Sequence, residues 1–264
     1  MQSLYPLSDS SSLILDRPMD ILSRLYRLPT GRFHYTLLGL IGVGWLFDAM
    51  DTGLVSFVLP TLSQQWQLTP AQSGWIVSVA FVGMALGAVA SGWAADRFGR
   101  RNVFVGTMVL YSIATGLCAL SPSLSVLLFC RFWVGFGLGG QLPVAVSLVS
   151  EFAPPAVRGR LIVLLESFWG LGWLAAALAS WGFIPHFGWH SAFWIGALPI
   201  FYALWVWKKL PESVPYLMAR GRVDEAHALV SRLEAQAGLP VVAEAIVAAT
   251  ATHEPIRFGQ LWKP

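Results

Sequence analysis

Long apolar stretches separated by short polar ones dominate the sequence. Six of them, residues 37–59, 73–95, 103–120, 124–149, 161–183 and 192–207, are nearly free of charge. A helix crossing the hydrocarbon core of a bilayer needs about 20 mostly apolar residues. A membrane β-strand would instead alternate polar and apolar positions over about 10 residues, and these stretches do not alternate. The pattern predicts an all-α membrane protein with six transmembrane helices. The sixth stretch is short, and Lys208 and Lys209 behind it can reach the interface on their apolar stems.

Two further segments are amphipathic but too polar to span. Ile21, Leu22, Leu25 and Leu28 share one helical face beside Arg24 and Arg27, which predicts a short helix lying on the inner leaflet. Ala226, Leu229, Val230 and Leu233 recur at helical spacing with Asp224, Glu225 and Arg232 opposite, which predicts a cytoplasmic helix. The organisation read from the pattern is an N-terminal cytoplasmic segment over 1–36, a six-helix bundle over 37–207, and a cytoplasmic linker over 208–264 that ends before a seventh span.

Composition sharpens this picture. Of 264 residues, 56% are hydrophobic and 12% charged, against about 25% charged in soluble domains. That excludes a disordered chain and argues against a soluble enzyme. Thirteen Trp and 25 Gly suit interfacial anchoring and close helix packing. The net charge of +3 calls for no nucleic-acid partner, because the cations are distributed by topology. Sixteen of the 17 Lys and Arg lie in the N-terminal segment, after the second and fourth spans, or after the sixth. The loops after the first, third and fifth spans carry none. Basic loops remain cytoplasmic, so both termini are expected there, in what would be a bacterial inner membrane. The first 32 residues lack the apolar core of a signal peptide. Cys118 and Cys130 lie within apolar runs without metal-ligand spacing and read as small core residues; no metal and no cofactor is expected. HExxH, GxSxG and P-loop patterns are absent, which argues against an enzyme.

The remaining charges sit where charge is costly. Asp48, Asp51, Arg131 and Glu166 fall inside the spans, and intramembrane ionisable groups usually serve function. Asp51 lies about 12 Å from the outer end of the first span and Arg131 about 10 Å from the outer end of the fourth, so the two are nearly level. Asp48 and Asp51 share a helix face. Two carboxylates beside one guanidinium cannot both be neutralised, so one should hold a proton readily. The expectation is a proton carrier in the acidic pair beside Arg131, with Glu166 placed to relay the proton or meet a substrate. Gln141, Phe168, Trp169 and Trp173 are candidates for the substrate wall. The glycines 135, 137, 139 and 140 of the fourth span read first as close-packing residues.

Several motifs resemble a known family. Gly92-Trp93-Ala94-Ala95-Asp96-Arg97-Phe98-Gly99-Arg100-Arg101 resembles the signature loop of the major facilitator superfamily, and lies between the second and third spans as it does there. Arg131-Phe132-Trp133-Val134-Gly135-Phe136-Gly137 is a second match. Glu151-Phe152-Ala153-Pro154-Pro155-Ala156-Val157-Arg158-Gly159-Arg160 and Pro211-Glu212-Ser213 with Gly221-Arg222 and Asp224-Glu225-Ala226 resemble the sugar-porter branch, although Val214-Pro215 stands where many sugar porters carry Pro-Arg. Asp48-Ala49-Met50-Asp51 resembles the Asp-x-x-Asp of aromatic-acid/proton symporters, and together with Glu166-Ser167-Phe168-Trp169 it is most similar to the nicotinate permease group. The resemblance covers nearly the whole chain.

The resemblance implies one half of a twelve-helix fold, itself two inverted three-helix repeats, with the substrate site between halves. It implies that Asp96, Arg97, Gly99, Arg100, Glu151, Arg158, Arg160 and Glu212 serve cytoplasmic gating. It also implies a small organic anion and a proton as cargo, with Arg131 holding the anion while Asp48 or Asp51 takes the proton, and a missing C-terminal half or second chain as a partner, besides the lipid bilayer. A sugar-type porter half, or a non-transporting truncated half or interaction partner, remains an alternative. The topology has a direct test. Cysteines introduced at Gln65, Ser121 and His186 should react with an impermeant thiol reagent from outside, and one at Arg100 should not; outside labelling at Arg100 overturns the topology.

Overall fold

The computed structural model describes residues 21–240. The first part of the N-terminal segment with Arg17, and the stretch 241–264 with Arg257 and Lys263, lie outside the described residues. Among the described residues every regular element is a helix: α1 (Ile21–Tyr26), α2 (Arg32–Trp66), α3 (Pro70–Phe98), α4 (Arg100–Ala119), α5 (Leu124–Phe152), α6 (Arg158–Phe187), α7 (Trp189–Ala197), α8 (Pro199–Lys209), α9 (Val214–Ala219) and α10 (Val223–Gln236). Five of the expected spans are α2 to α6, and α7 with α8 makes the sixth. The sixth is broken at Leu198 because Pro199 lacks the amide hydrogen that would continue the ladder.

The helices outrun their apolar stretches wherever capping chemistry allows. Thr69 caps α3: its hydroxyl accepts from the Gln72 amide at 3.3 Å, and the Gln72 side chain accepts from the Thr69 amide at 2.9 Å, with Pro70 at the first helical position. Gly99 ends α3 and starts α4 at φ +96°, a conformation that side-chain-bearing residues rarely adopt. A methyl group there would also meet the Glu212 carboxylate.

The packing repeats itself. α3 lies along α5 and α2 along α6; α4 packs on α5, and α7 and α8 pack on α2. Exchanging α2 with α5, α3 with α6, and α4 with the α7–α8 pair maps this pattern onto itself, as two three-helix repeats require. The close crossings share one device. A methyl at Gly83 or Gly87 of α3 would strike the Phe132 and Phe136 backbone of α5, and one at Gly135 or Gly139 would strike the Ala80 and Met84 backbone of α3. Gly172 of α6 meets the Leu46 and Met50 backbone of α2 in the same way. In lipid, where burying apolar groups gives helices little reason to associate, such close approach supplies the packing contact. Only narrow stripes of α3 and α6 are buried; Trp75, Phe81 and Trp93, and Val163, Leu178 and Trp181, face outward.

The basic segments gather at one end. The His34 ring contacts the Phe152 carbonyl at 3.2 Å, Tyr216 donates to the Arg97 carbonyl at 3.2 Å, and Arg101 donates its amide to Glu212 at 3.2 Å. At the other end Trp189 donates its indole N–H to Gln65 at 2.8 Å. The amphipathic helix α1 differs from the expectation of a helix lying on lipid. Ile21, Leu25 and Leu28 are buried in the protein, and α1 packs on α10. The reason is electrostatic as well as apolar. Arg24, fully buried, donates to both oxygens of the equally buried Glu234 at 3.2 and 2.6 Å, and Arg27 joins at 2.8 Å.

Burial pushes the Glu234 carboxyl up, but the hydrogen bonds and charges of Arg24 and Arg27 outweigh it and hold the group below its ordinary value. The stability this clasp contributes is therefore present above the ordinary carboxyl range and is lost as pH falls through the lowered value. Glu234→Ala leaves Arg24 buried without its counter-ion and should destabilise the α1–α10 contact by about 3 kcal/mol. Hydrogen exchange at the α1 amides measures this, and unchanged protection would refute it.

Candidate functional site

Halfway along the bundle, α2, α3, α5 and α6 border an open cavity of about 610 Å³. Trp45, Asp48 and Thr52 border it from α2, Met84 and Ala88 from α3, Leu142 and Pro143 from α5, and Glu166 and Trp169 from α6. Positions 45, 48 and 52 share one face of α2 because they are three and four residues apart. The walls are mainly apolar with few polar groups, the usual make-up of a small-molecule pocket. Trp45 and Trp169 meet with ring centroids 4.8 Å apart at 40°.

Behind this wall sits the buried charge cluster. Asp51 and Arg131 are 1% and 3% exposed, and their side chains meet at 3.4 Å, as the depth arithmetic expects. Thr115 of α4 donates its hydroxyl to the other Asp51 oxygen at 2.7 Å. Asp51 thus has a cation and a neutral donor. Asp48, 1% exposed, has no cation: both its oxygens are covered, and the polar group beside it is the neutral Tyr111 hydroxyl. The pair of aspartates on one helix face is therefore split into one that is neutralised and one that is not.

Other expected site residues fall in different places. Arg131 does not border the cavity; one terminal nitrogen of its guanidinium meets Asp51, while its covered Nε has no partner. Gln141 is fully buried behind the wall, with both amide atoms unpartnered near Gly44. Phe168 packs on Gly42, and Trp173 near Gly53 is partly outward-facing, so of the expected aromatic wall only Trp169 reaches the cavity. Glu166 borders it and is exposed. Sequence reasoning missed Trp45 and Thr52, although their spacing from Asp48 was the available signal. It also missed Tyr111 and Thr115, which lie four residues apart on α4 and so present one polar stripe to the aspartates. Among the described residues, no cluster of His, Cys, Asp and Glu is arranged to hold a metal.

The motif residues at the basic end form a second cluster. Arg100 meets Asp96 at 2.9 Å and Glu151 at 3.3 Å, and Ser147 donates to Glu151 at 2.9 Å. Glu212 accepts from the amides of Arg101 and Ser213. The Arg97 guanidinium lies over the Trp93 and Phe98 rings, and its carbonyl accepts from Tyr216 and Arg220. Arg158 stands over Tyr26, and Arg160 is exposed and apart from the rest.

Comparison with known proteins follows this geometry. The family described as "Sugar (and other) transporter" matches residues 41–263. The chain is 60% identical over 244 residues to the niacin transporter NiaP of Acinetobacter baylyi, covering 92% of this chain and 56% of that one. It is 53% identical over 180 residues to the putative niacin/nicotinamide transporter NiaP of Bacillus subtilis, covering 68% and 45%. Against the 4-hydroxybenzoate transporter PcaK of Pseudomonas putida it is 34% identical over 231 residues, covering 87% and 51%. The chain spans about half the length of the curated relatives it matches. Its fold matches the xylose transporter XylE from E. coli in a partially occluded inward-open conformation, with TM-score 0.67 at 20% identity, over 77% of this chain and 54% of that one.

The charge cluster can be tested without knowing the cargo. Arg131→Ala strands the Asp51 carboxylate and should cost about 3 kcal/mol in unfolding experiments in detergent. Asp51→Asn combined with Arg131→Gln should recover much of that loss. Additive losses in the double variant would mean the two side chains do not act as a pair.

Proposed function

The chain belongs to the sugar (and other) transporter family of the major facilitator superfamily, and from that premise we propose that its bundle forms half of a pathway carrying a small aromatic carboxylate, with nicotinate the first candidate, together with a proton. The reading places the basic end of the bundle in the cytoplasm of a bacterial cell, because Lys and Arg concentrate there.

The observation that carries it is the isolation of Asp48. Its neighbour Asp51 is neutralised by Arg131, so Asp48 has no cation to share. An uncompensated carboxylate at this depth is costly. The cheaper state is the protonated one, and it is cheaper still when an anion enters the cavity beside Asp48 and Glu166. Proton and anion then favour each other's presence, which is the thermodynamic content of symport. The Asp51–Arg131 pair keeps a net neutral background behind the cavity, so the balance turns on Asp48. Trp45 and Trp169 offer a flat wall for an aromatic ring. The niacin and 4-hydroxybenzoate transporters among the relatives support a planar aromatic carboxylate as cargo. The Asp96–Arg100–Glu151 cluster is the gating latch in this reading, remote from the cavity and holding α3, α4 and α5 together at the cytoplasmic end.

The test uses a chain extended to the full length of its relatives, reconstituted in vesicles with labelled nicotinate, benzoate and hexose. Asp48→Asn should retain nicotinate binding within a few-fold but abolish accumulation driven by a pH gradient. Asp96→Asn should slow turnover with little change in affinity. Unchanged pH-driven accumulation by Asp48→Asn would overturn the proton role, and uptake of hexose in place of nicotinate would overturn the cargo class.

A further inference from the structure

A second cavity, of about 580 Å³, opens where the last span leaves the apolar layer. It lies between the end of α8, the start of α4, and α9 and α10. Its lining is polar and strongly basic, quite unlike the main cavity. Lys208, Lys209, Arg232 and Arg101 converge on it from three separate helices.

The acids in the groove are held first by other partners, and of these cations only Arg101 acts on one of them, Glu225. Glu225 is held by Arg222 in a two-pronged pair at 2.6 Å. Glu212 is turned to the backbone amides of Arg101 and Ser213 at 3.2 and 3.0 Å. Among the described residues, Lys208, Lys209 and Arg232 have no ion-pair partner. The Arg101 Nε–H is covered and has no acceptor. A covered donor without an acceptor and three unpaired cations around a concave space describe a site short of an anion with several acceptor oxygens.

The surroundings identify the source of that anion. Phe201, Leu204, Trp205 and Trp207 of α8 face outward, with the two tryptophans half exposed, and Lys208 follows directly. Tryptophan at a span end marks the headgroup level of a bilayer. Lys208 and Lys209, which line the groove, therefore follow the outward apolar face of α8 at the height of lipid phosphates. Basic pockets at this level recognise acidic headgroups. We propose that this groove binds the phosphate-bearing headgroup of an anionic phospholipid, with Lys208, Lys209 and Arg232 contacting the phosphate and Arg101 closing the back of the site. Because the groove joins α8 to α9 and α10, the bound lipid ties the linker helices to the bundle.

The test is lipid binding by the full 264-residue chain in detergent, read by native mass spectrometry, with phosphatidylglycerol and phosphatidylcholine as probes. The wild-type chain should retain phosphatidylglycerol preferentially. Removing each cation should weaken retention about fivefold, so K208Q/K209Q/R232Q should lose the preference, while K208R/K209R and the distant R160Q keep it. R160Q controls for net charge, and K208R/K209R for damage to the α8 end. Equal retention of the two lipids, or an unaltered preference in the triple variant, would overturn the proposal. Glycerol 3-phosphate competing as well as the lipid would assign the groove to a soluble phosphate compound and overturn the lipid headgroup.

Discussion

A charge placed among apolar helices has to be answered inside the protein, and the arrangement of this bundle follows from how that is done. Arg131 on α5 answers Asp51 on α2, and Thr115 on α4 completes the carboxylate's coordination. Three helices from both repeats are thereby held at one depth. The pairing also decides what remains. Asp48, one turn away on the same face, is left without a counter-charge against the cavity wall. Two aspartates that look equivalent on paper thus stand in unequal surroundings.

Close approach of helices makes this charge arrangement possible. Backbones that touch at Gly83, Gly87, Gly135 and Gly139 bring α3 and α5 together without intervening side chains. The polar side chains of α4 and α5 can then reach α2. Gly83 and Gly87 on α3, and Gly172 on α6, leave the opposite faces of these two helices to large apolar groups, which is tolerable only in an apolar solvent. Glycine and acid are two parts of one design: the former sets the distances over which the latter interacts.

The fold was legible in the sequence because each span carries a redundant signal of about 20 residues. The level placement of Asp51 and Arg131 was legible too, since helix rise converts residue counts into depth. Rotation about each helix axis was not. Uniformly apolar spans have almost no polar face to orient them, so Trp169 and Trp173, four residues apart, could not be sorted into cavity-facing and outward-facing. The same gap hid the polar stripe of Tyr111 and Thr115. At α1 the amphipathic pattern was read correctly as a pattern. An apolar face suited to lipid is equally suited to another helix, and only Glu234, more than 200 residues away, selects between them.

That distance has a consequence for synthesis. Arg24 and Glu234 are 210 residues apart, yet each is buried against the other. Domains emerge N-terminus first, at about 5–20 residues per second. The nascent chain must therefore carry α1 with its guanidinium unsatisfied for at least ten seconds or so, through insertion of all six spans. The clasp can close only when α10 has left the ribosome. A chain interrupted before α10 keeps α1 undocked, with Ile21, Leu25 and Leu28 deprived of the helix that α1 packs on.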